Sequence, residues 1–352
     1  MNRREFAHSI AGASVGLALQ SRATTDGGSI TDVPGIKVGH FTDTRRPTGC
    51  TAILFDQPVA AGVDYDGSAP GESQIALLQP VSPVERIHAI FLTGGGVMSL
   101  PAHGGVLRFL EEHKIGFDWG NPNLRIPIVV SAVIDDLSIG DNRIRPDADA
   151  AYKACSAAAA GPVAEGNVGA GAGATVGKMH RGRGLAGMKG GLGTASVKIG
   201  DLVIGALAVV NAAGDVVDWR SGRIIAGARR PDGTFADSGA VIHDIVRGQG
   251  GKGLDDEALR STTLALVATN AALSKTALTK VAMMANCGAS RAIRPYHTTG
   301  DGDQLYAVST SALTRTDIPL TAIGSLAADV VADAIARGVR AAATIEGWIG
   351  LR

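Results

Sequence analysis

A hydroxyl residue opens the apolar run Ser261-Thr262-Thr263-Leu264-Ala265-Leu266-Val267-Ala268-Thr269-Asn270, and a glycine-rich, charged segment from Gly233 to Arg260 leads into it. The approach reads as an exposed loop and the run as a buried strand. Thr262 is therefore expected where flexible chain meets rigid core. A self-cleaving precursor must be cut at such a place if its new N-terminal residue is to become a catalyst. A threonine with a free α-amine carries its own proton acceptor, because an amine of reference pKa about 7.7 to 8.0 lies within reach of the hydroxyl. The same pattern also suits a plain loop followed by a core strand that begins with Thr.

Other residues have the chemistry to support such a nucleophile. Asn211 ends a long apolar stretch, so its amide would project from a rigid element as an oxyanion donor; the alternative is a turn-forming Asn before Ala212-Ala213-Gly214. Asp301-Gly302-Asp303 sits in a polar turn before the apolar run from Leu305 to Ser309. Paired carboxylates there would orient an N-terminal ammonium and tune its pKa, or else form a solvated or calcium-binding turn. Lys178 and Lys189 both follow glycine-rich segments. A lysine beside the nucleophile would stabilise negative charge, and a surface lysine is the alternative for each. Gly169-Ala170-Gly171-Ala172-Gly173-Ala174 satisfies a G-x-G-x-x-A pattern but lacks the apolar strand that a dinucleotide site needs before it. Gly173 to Lys178 is one residue short of a phosphate loop, and Met179 stands where Ser or Thr would hold magnesium. Closely approaching backbones near a substrate groove explain these glycines better.

The elements expected to position these residues follow from periodicity. Gly39 to Asp56 reads as strand and turn, and Ala89 to Thr93 as a buried strand. A helix runs from Gly105 and closes at His113-Lys114; Ile126 to Val130 is a strand. Asp147 to Ala160 reads as an alanine-rich helix ended by Gly161-Pro162. Strands are expected at Ala195 to Ile199, Leu202 to Asn211, Thr262 to Thr269 and Leu305 to Ser309. Helices follow Ser274, a natural N-cap, and run from Ser325 to Ala342. Strands and helices alternate in blocks, which favours stacked layers over a doubly wound sheet. Segments 213 to 216 and 230 to 260 are the most linker-like.

The chain has 352 residues, 45% of them hydrophobic, with 33 basic and 33 acidic side chains, which suits one large core and argues against a nucleic-acid partner. Three cysteines (Cys50, Cys155 and Cys287) are too few and too scattered for a disulfide framework or zinc site and read as small buried residues. At the N-terminus, Arg3-Arg4-Glu5-Phe6 followed by the uncharged Ser9 to Gln20 and then Ser21-Arg22-Ala23 looks like a twin-arginine export signal over residues 1–23. This implies a periplasmic or secreted product; a basic tail on a cytoplasmic protein is the alternative. The uncharged stretch is too short for a ~30 Å hydrocarbon core.

Several segments stand in a recognisable order: Ile30-Thr31-Asp32-Val33-Pro34-Gly35-Ile36-Lys37-Val38-Gly39-His40, Thr48-Gly49-Cys50-Thr51, Ala69-Pro70-Gly71, Val84 to Ile90, Gly166 to Gly171, Lys189 to Ser196, Val209-Val210-Asn211 and Val267 to Asn270. Together they resemble the family of β-peptidyl aminopeptidases, L-aminopeptidase/D-esterases and nylon-oligomer (6-aminohexanoate oligomer) endohydrolases. The resemblance implies an αββα sandwich similar to N-terminal-nucleophile hydrolases, cut into chains 24–261 and 262–352 that assemble as a homo-oligomer, commonly a tetramer. It implies a peptide or oligoamide substrate and no metal or organic cofactor. It also implies Thr262 as nucleophile, Asn211 as oxyanion donor, Lys178 in preference to Lys189 as the site lysine, and Asp301 and Asp303 as the aspartate pair of the nylon-oligomer hydrolases. Two departures stand out. Ser261 replaces the usual Asn, Gly or Asp before the cut, and Asp135 stands where relatives carry an aromatic residue, so a carboxylate there would change substrate preference. Ornithine acetyltransferases share this topology and a threonine nucleophile, which leaves acyl transfer as a rival to hydrolysis. An exported, uncut binding protein of the same fold is a second rival.

Overall fold

A computed structural model describes residues 27–249 and 261–352. The export signal read over 1–23, and residues 250–260 of the glycine-rich approach, lie outside the described residues.

Eight strands and five helices carry the architecture: β1 (Ile36–Thr42), β2 (Gly49–Asp64), β3 (Ile87–Thr93), α1 (His103–Glu112), β4 (Val129–Val133), α2 (Ala148–Ser156), β5 (Gly191–Ile199), β6 (Leu202–Asn211), α3 (Ser238–Val246), β7 (Thr262–Ala271), α4 (Lys275–Ala292), β8 (Gln304–Leu313) and α5 (Leu320–Arg340). The strands run in the order β5-β6-β7-β8-β2-β3-β4, with a short strand at Glu72–Ser73 beside β4 and with β1 on β2. The long β2 joins two layers. Its second half pairs with β8, its first half pairs with β1 and β3, and the register slips between Leu54 and Val59.

Alternate side chains of a strand point to opposite faces, and here each face meets a different core. On β6 and β7, Ala206, Ala208, Ala265 and Val267 pack under α4 and α5. Their neighbours Leu207, Val209, Leu264 and Leu266 face Ile53, Ile90 and Val130 of the other sheet half. Ala52, Leu54, Ala89 and Phe91 turn outward onto α1 and α2. Three cores thus separate four layers, helix, sheet, sheet, helix, which is the expected sandwich. Burying a Leu or Val side chain contributes about 1.5–3 kcal/mol. The start of β7, immediately followed by Leu264 and Leu266, is therefore held firmly.

Some local expectations fail for identifiable reasons. Residues 213 to 216 are no linker: Asp215–Val217 is a buried strand between Ile224–Ala226 and Ile293–Arg294. Its polar character is absorbed, because the Asp215 carboxylate accepts from Ala228 N at 2.7 Å, Ser238 N at 2.6 Å and Ser238 Oγ at 2.9 Å. Within 230 to 260, α3 forms because the Asp237 side chain caps it by accepting from Gly239 N and Ala240 N. Helix α2 stops at Ser156, short of Ala160, since Ala159 leaves it to bridge Val38. Strand β4 begins only at Val129, two residues beyond Pro127, which lacks a ladder donor. Helix α4 is capped by Ser274 as expected. Cys50 and Cys155 are buried, but Cys287 is exposed.

The glycine-rich segment 169–174 is a packing device. A Cβ at Gly171 would come within 2.3 Å of Leu192 N, and one at Gly173 within 2.5 Å of Pro47 O. Lys189 holds this segment from the core. It is fully buried, and its ammonium donates to Gly171 O at 3.0 Å, Ala174 O at 2.8 Å and Gly190 O at 2.9 Å. Burial draws its pKa down to about 7, with the Asp136 charge acting against the fall and the Lys178 charge adding to it. Lys189 pairs with Thr175 across a two-stranded ladder, so it fixes the chain that enters the site without facing a pocket. Lys189→Met would take the ammonium from Gly190 O, at about 1–3 kcal/mol, while Gly171 O keeps the Ala174 N–H and Ala174 O keeps the Gly190 N–H; removal of a buried charge offsets part of the cost. Urea unfolding should show a net loss of about 1–2 kcal/mol; a variant as stable as wild type would contradict this account.

Candidate active site

Thr262 and Asn211 face each other as the terminal pair of the β6–β7 ladder, in which Val210 also pairs with Thr263 and Val209 with Leu264. Both side chains are buried, at 6% and 0% exposure. The site is thus fixed by sheet register and not by a loop. With the Ser261–Thr262 peptide intact, Thr262 Oγ1 donates to Ser261 O at 2.6 Å, so the hydroxyl and the carbonyl preceding it are already in contact. The same carbonyl oxygen accepts the Gly302 N–H at 2.9 Å, and Ser261 forms a parallel bridge with Asp301.

Lys178 Nζ donates to Asn211 Oδ1 at 2.6 Å and to Thr175 Oγ1 at 3.2 Å. Thr175 N also donates to Asn211 Oδ1, at 3.0 Å. An ammonium can only donate, so the atom facing it must be the amide oxygen, and Asn211 Nδ2 is the donor end. That end reaches Asp135 O at 3.2 Å on the facing sheet half. Asp135 therefore stands beside the site through its backbone. Its carboxylate Oδ1 accepts from Leu137 N at 2.9 Å. The next residue, Asp136, forms a fully buried ion pair with Arg46 at 2.6 Å, and Arg46 also donates to Ile139 O and Ile144 O. This pair holds the 136–144 loop in place behind Asp135.

The Asp301-Gly302-Asp303 turn is buried, its carboxylates 2% and 1% exposed, so it is not a solvated turn. Asp301 Oδ2 accepts from Thr298 N at 2.8 Å and Thr298 Oγ1 at 2.6 Å, while its Oδ1 is buried without a hydrogen-bond partner. Burial, then the charge of Asp303, raise the Asp301 carboxyl to about 6, with the Lys178 charge acting against the rise. Asp303 Oδ1 accepts from Thr263 N at 2.5 Å, tying the turn to the residue after Thr262. Among the described residues no group of three or more His, Cys, Asp or Glu side chains is arranged to hold a metal ion.

The geometry brings together Ser261, Thr262, Asn211, Lys178, Asp301 and Asp303, with Asp135 at the edge and Lys189 behind the wall. Sequence reasoning missed a further set. His297 has φ of 53°, unusual for a residue with a side chain, and its Nδ1 lies 3.2 Å from Asp303 Oδ2. Its Nε2 is 2.9 Å from Asn286 Nδ2, which also donates to Asp64 Oδ2 at 2.9 Å, while Tyr296 OH donates to Asn286 Oδ1 at 2.8 Å. Because Asn286 offers N–H to Nε2, the imidazole proton sits on Nδ1 and faces Asp303. The signal for this network was slight: one His six residues before an aspartate.

Known proteins resemble this chain along most of its length. The chain is 37% identical to an uncharacterised aminopeptidase of Mycobacterium leprae, over 91% of this chain and 92% of the relative. It is 30% identical to the 6-aminohexanoate-oligomer endohydrolase of Paenarthrobacter ureafaciens, over 86% and 84%. Its fold matches the L-aminopeptidase D-Ala-esterase/amidase of Ochrobactrum anthropi, described as a variant of the Ntn-hydrolase fold, with TM-score 0.64 at 22% identity over 89% of this chain and 86% of that one. A Burkholderia β-aminopeptidase matches with TM-score 0.65 at 21% identity, over 92% and 90%. The profile of peptidase family S58 matches residues 28–351 without interruption, and the chain belongs to that family.

Proposed function

We propose that this S58 family member is an amide-bond hydrolase that cuts its own chain between Ser261 and Thr262 and then uses Thr262 as an N-terminal nucleophile. The observation that carries the reading is the contact of Thr262 Oγ1 with the Ser261 carbonyl, at the first residue of a buried central strand. In turnover, Thr262 Oγ1 attacks the substrate carbonyl while the freed α-amine accepts the hydroxyl proton and returns it to the leaving amine. Asn211 Nδ2 donates to the developing oxyanion, and Lys178 both orients that amide and offsets the negative charge. Asp303 holds the backbone of Thr263, which sets the direction of the amine beside it. The acyl-enzyme ester is then hydrolysed by water.

The substrates that fit are linear amides: peptides, β-peptides or 6-aminohexanoate-type oligomers. Names of relatives support both ends of that range. The aspartate pair 301/303 favours the oligoamide side. Asp135, near the Asn211 amide and beside Gly96, after which the exposed Val97 and Met98 follow in the chain, favours an acyl chain that combines apolar length with an ammonium end. Activity on a 6-aminohexanoate oligomer, a β-peptide and an amino-acid p-nitroanilide separates these substrates.

Two outcomes test the reading. Denaturing gels of purified protein should show two fragments, the smaller being residues 262–352, about a quarter of the 352-residue chain, and Thr262→Ala should remain uncut and inactive. A mutant that still yields both fragments would refute the assignment. The Asp301 carboxyl is protonated below about 6 and ionised above it. Self-cleavage that needs its charged form should therefore accelerate as pH rises through about 6. Asp301→Asn should remove this limb; a wild-type rate that is flat from pH 5 to 7.5 would show that Asp301 does not govern the step.

A further inference from the structure

We propose that the backbone N–H of Gly302 is the oxyanion donor for self-cleavage. The inference rests on the self-cleavage reading above and adds the group that carries the charge. Gly302 N lies 2.9 Å from Ser261 O, the oxygen on which negative charge would build when Thr262 attacks. That oxygen also takes the Thr262 hydroxyl at 2.6 Å, so nucleophile and donor converge on one carbonyl.

The donor is held by the sheet. Parallel pairing of β7 and β8 begins at Leu264 and Gln304, and Thr262 and Gly302 stand two residues before each. On its other sides the turn is clamped by Asp301 N donating to Thr298 O at 3.0 Å and by Ala69 N donating to Asp301 O at 2.9 Å. Position 302 also has no room for a side chain: a Cβ there would meet Ala69 O at 2.5 Å and Thr262 Oγ1 at 2.8 Å. Glycine is thus the residue that lets a backbone N–H approach the reacting carbonyl while the hydroxyl keeps its place. Preorganised donors of this kind act without reorganising during the reaction.

The step balances as follows. Thr262 Oγ1 bonds to the Ser261 carbonyl carbon, and the carbonyl π pair moves onto Ser261 O, held by Gly302 N–H. Collapse breaks the C–N bond, and the hydroxyl proton ends on the departing Thr262 nitrogen. Water then hydrolyses the ester, leaving a Ser261 carboxylate and a free Thr262 hydroxyl and amine.

The test replaces one N–H at a time in the full chain made by cell-free translation. Glycolic acid at position 302 removes the donor, but the resulting ester also weakens Asp301 O as an acceptor for Ala69 N. Lactic acid at position 69 removes that second hydrogen bond alone and is the control. The rate of appearance of the 262–352 fragment is followed on gels and by mass spectrometry. The position-302 ester is expected to slow scission about 10²–10³-fold, the range for loss of one oxyanion donor, while the position-69 ester stays within about threefold of wild type. Scission of the position-302 ester within threefold of wild type would overturn the proposal, as would equal slowing by both esters, which would mean that the bond acts only by holding the turn. In either case wild-type scission at 261/262 leaves the self-cleavage reading standing. Wild-type chain that stays whole, or is cut elsewhere, removes both.

Discussion

The site depends on register. Asn211 and Thr262 are opposite each other because β6 and β7 pair in one alignment over eight residues, and a slip by one would turn Leu207, Val209, Leu264 and Leu266 out of the middle core. The apolar content of two central strands thus fixes, as a by-product, the distance between the Thr262 hydroxyl and the Asn211 amide. A loop would have to hold the same geometry against its own entropy; a central strand holds it through the whole sandwich. The same ladder logic brings the Asp301–Asp303 turn in from the other side, since β8 pairs with β7 along its length.

Charge is buried at this junction, and the structure compensates for it locally. An isolated buried ion is costly, and paired or well hydrogen-bonded ions are tolerated. Arg46 and Asp136 satisfy each other and surrounding carbonyls, Lys189 is saturated by carbonyls, and Asp303 is met by Thr263 N and His297. Asp301 is the exception. One of its oxygens has no hydrogen-bond partner, and its carboxyl is shifted up toward neutrality. Two buried groups at this junction can therefore change protonation near physiological pH, the Asp301 carboxyl at about 6 beside the Ser261 carbonyl and the Lys189 ammonium at about 7 behind the wall.

Much of the fold was legible because its elements are long and strongly patterned. The runs at 202–211 and 262–271, the Ser274 cap and the helix closing before His113-Lys114 emerge almost as expected. What was lost lies where tertiary contacts override local composition. Asp215, Asp237 and Ser238 look like linker residues, yet Asp215 on a small sheet accepts from Ser238, and Asp237 caps a helix by accepting from Gly239 N and Ala240 N. The glycines between residues 169 and 174 read as sites of close backbone approach, and they are so, but that the neighbours are Leu192 and Pro47 no local pattern records.

Side-chain chemistry was legible in the same uneven way. Thr262, Asn211, Lys178 and the two aspartates are polar residues at or near the ends of apolar elements, where polarity needs a reason, and the structure gathers them around the start of one strand. His297, Asn286 and Asp64 went unnoticed because each lies in a different segment and becomes a partner only after folding. The Gly302 donor is harder still, since every residue except proline has an N–H and its sequence letter says nothing of where that N–H points. What marks it is the missing side chain between two buried carboxylates, a space that Ala69 and Thr262 leave open only for backbone. In a site built at the ends of central strands, the groups that orient charge are partly main chain, and they are read from register rather than from residue type.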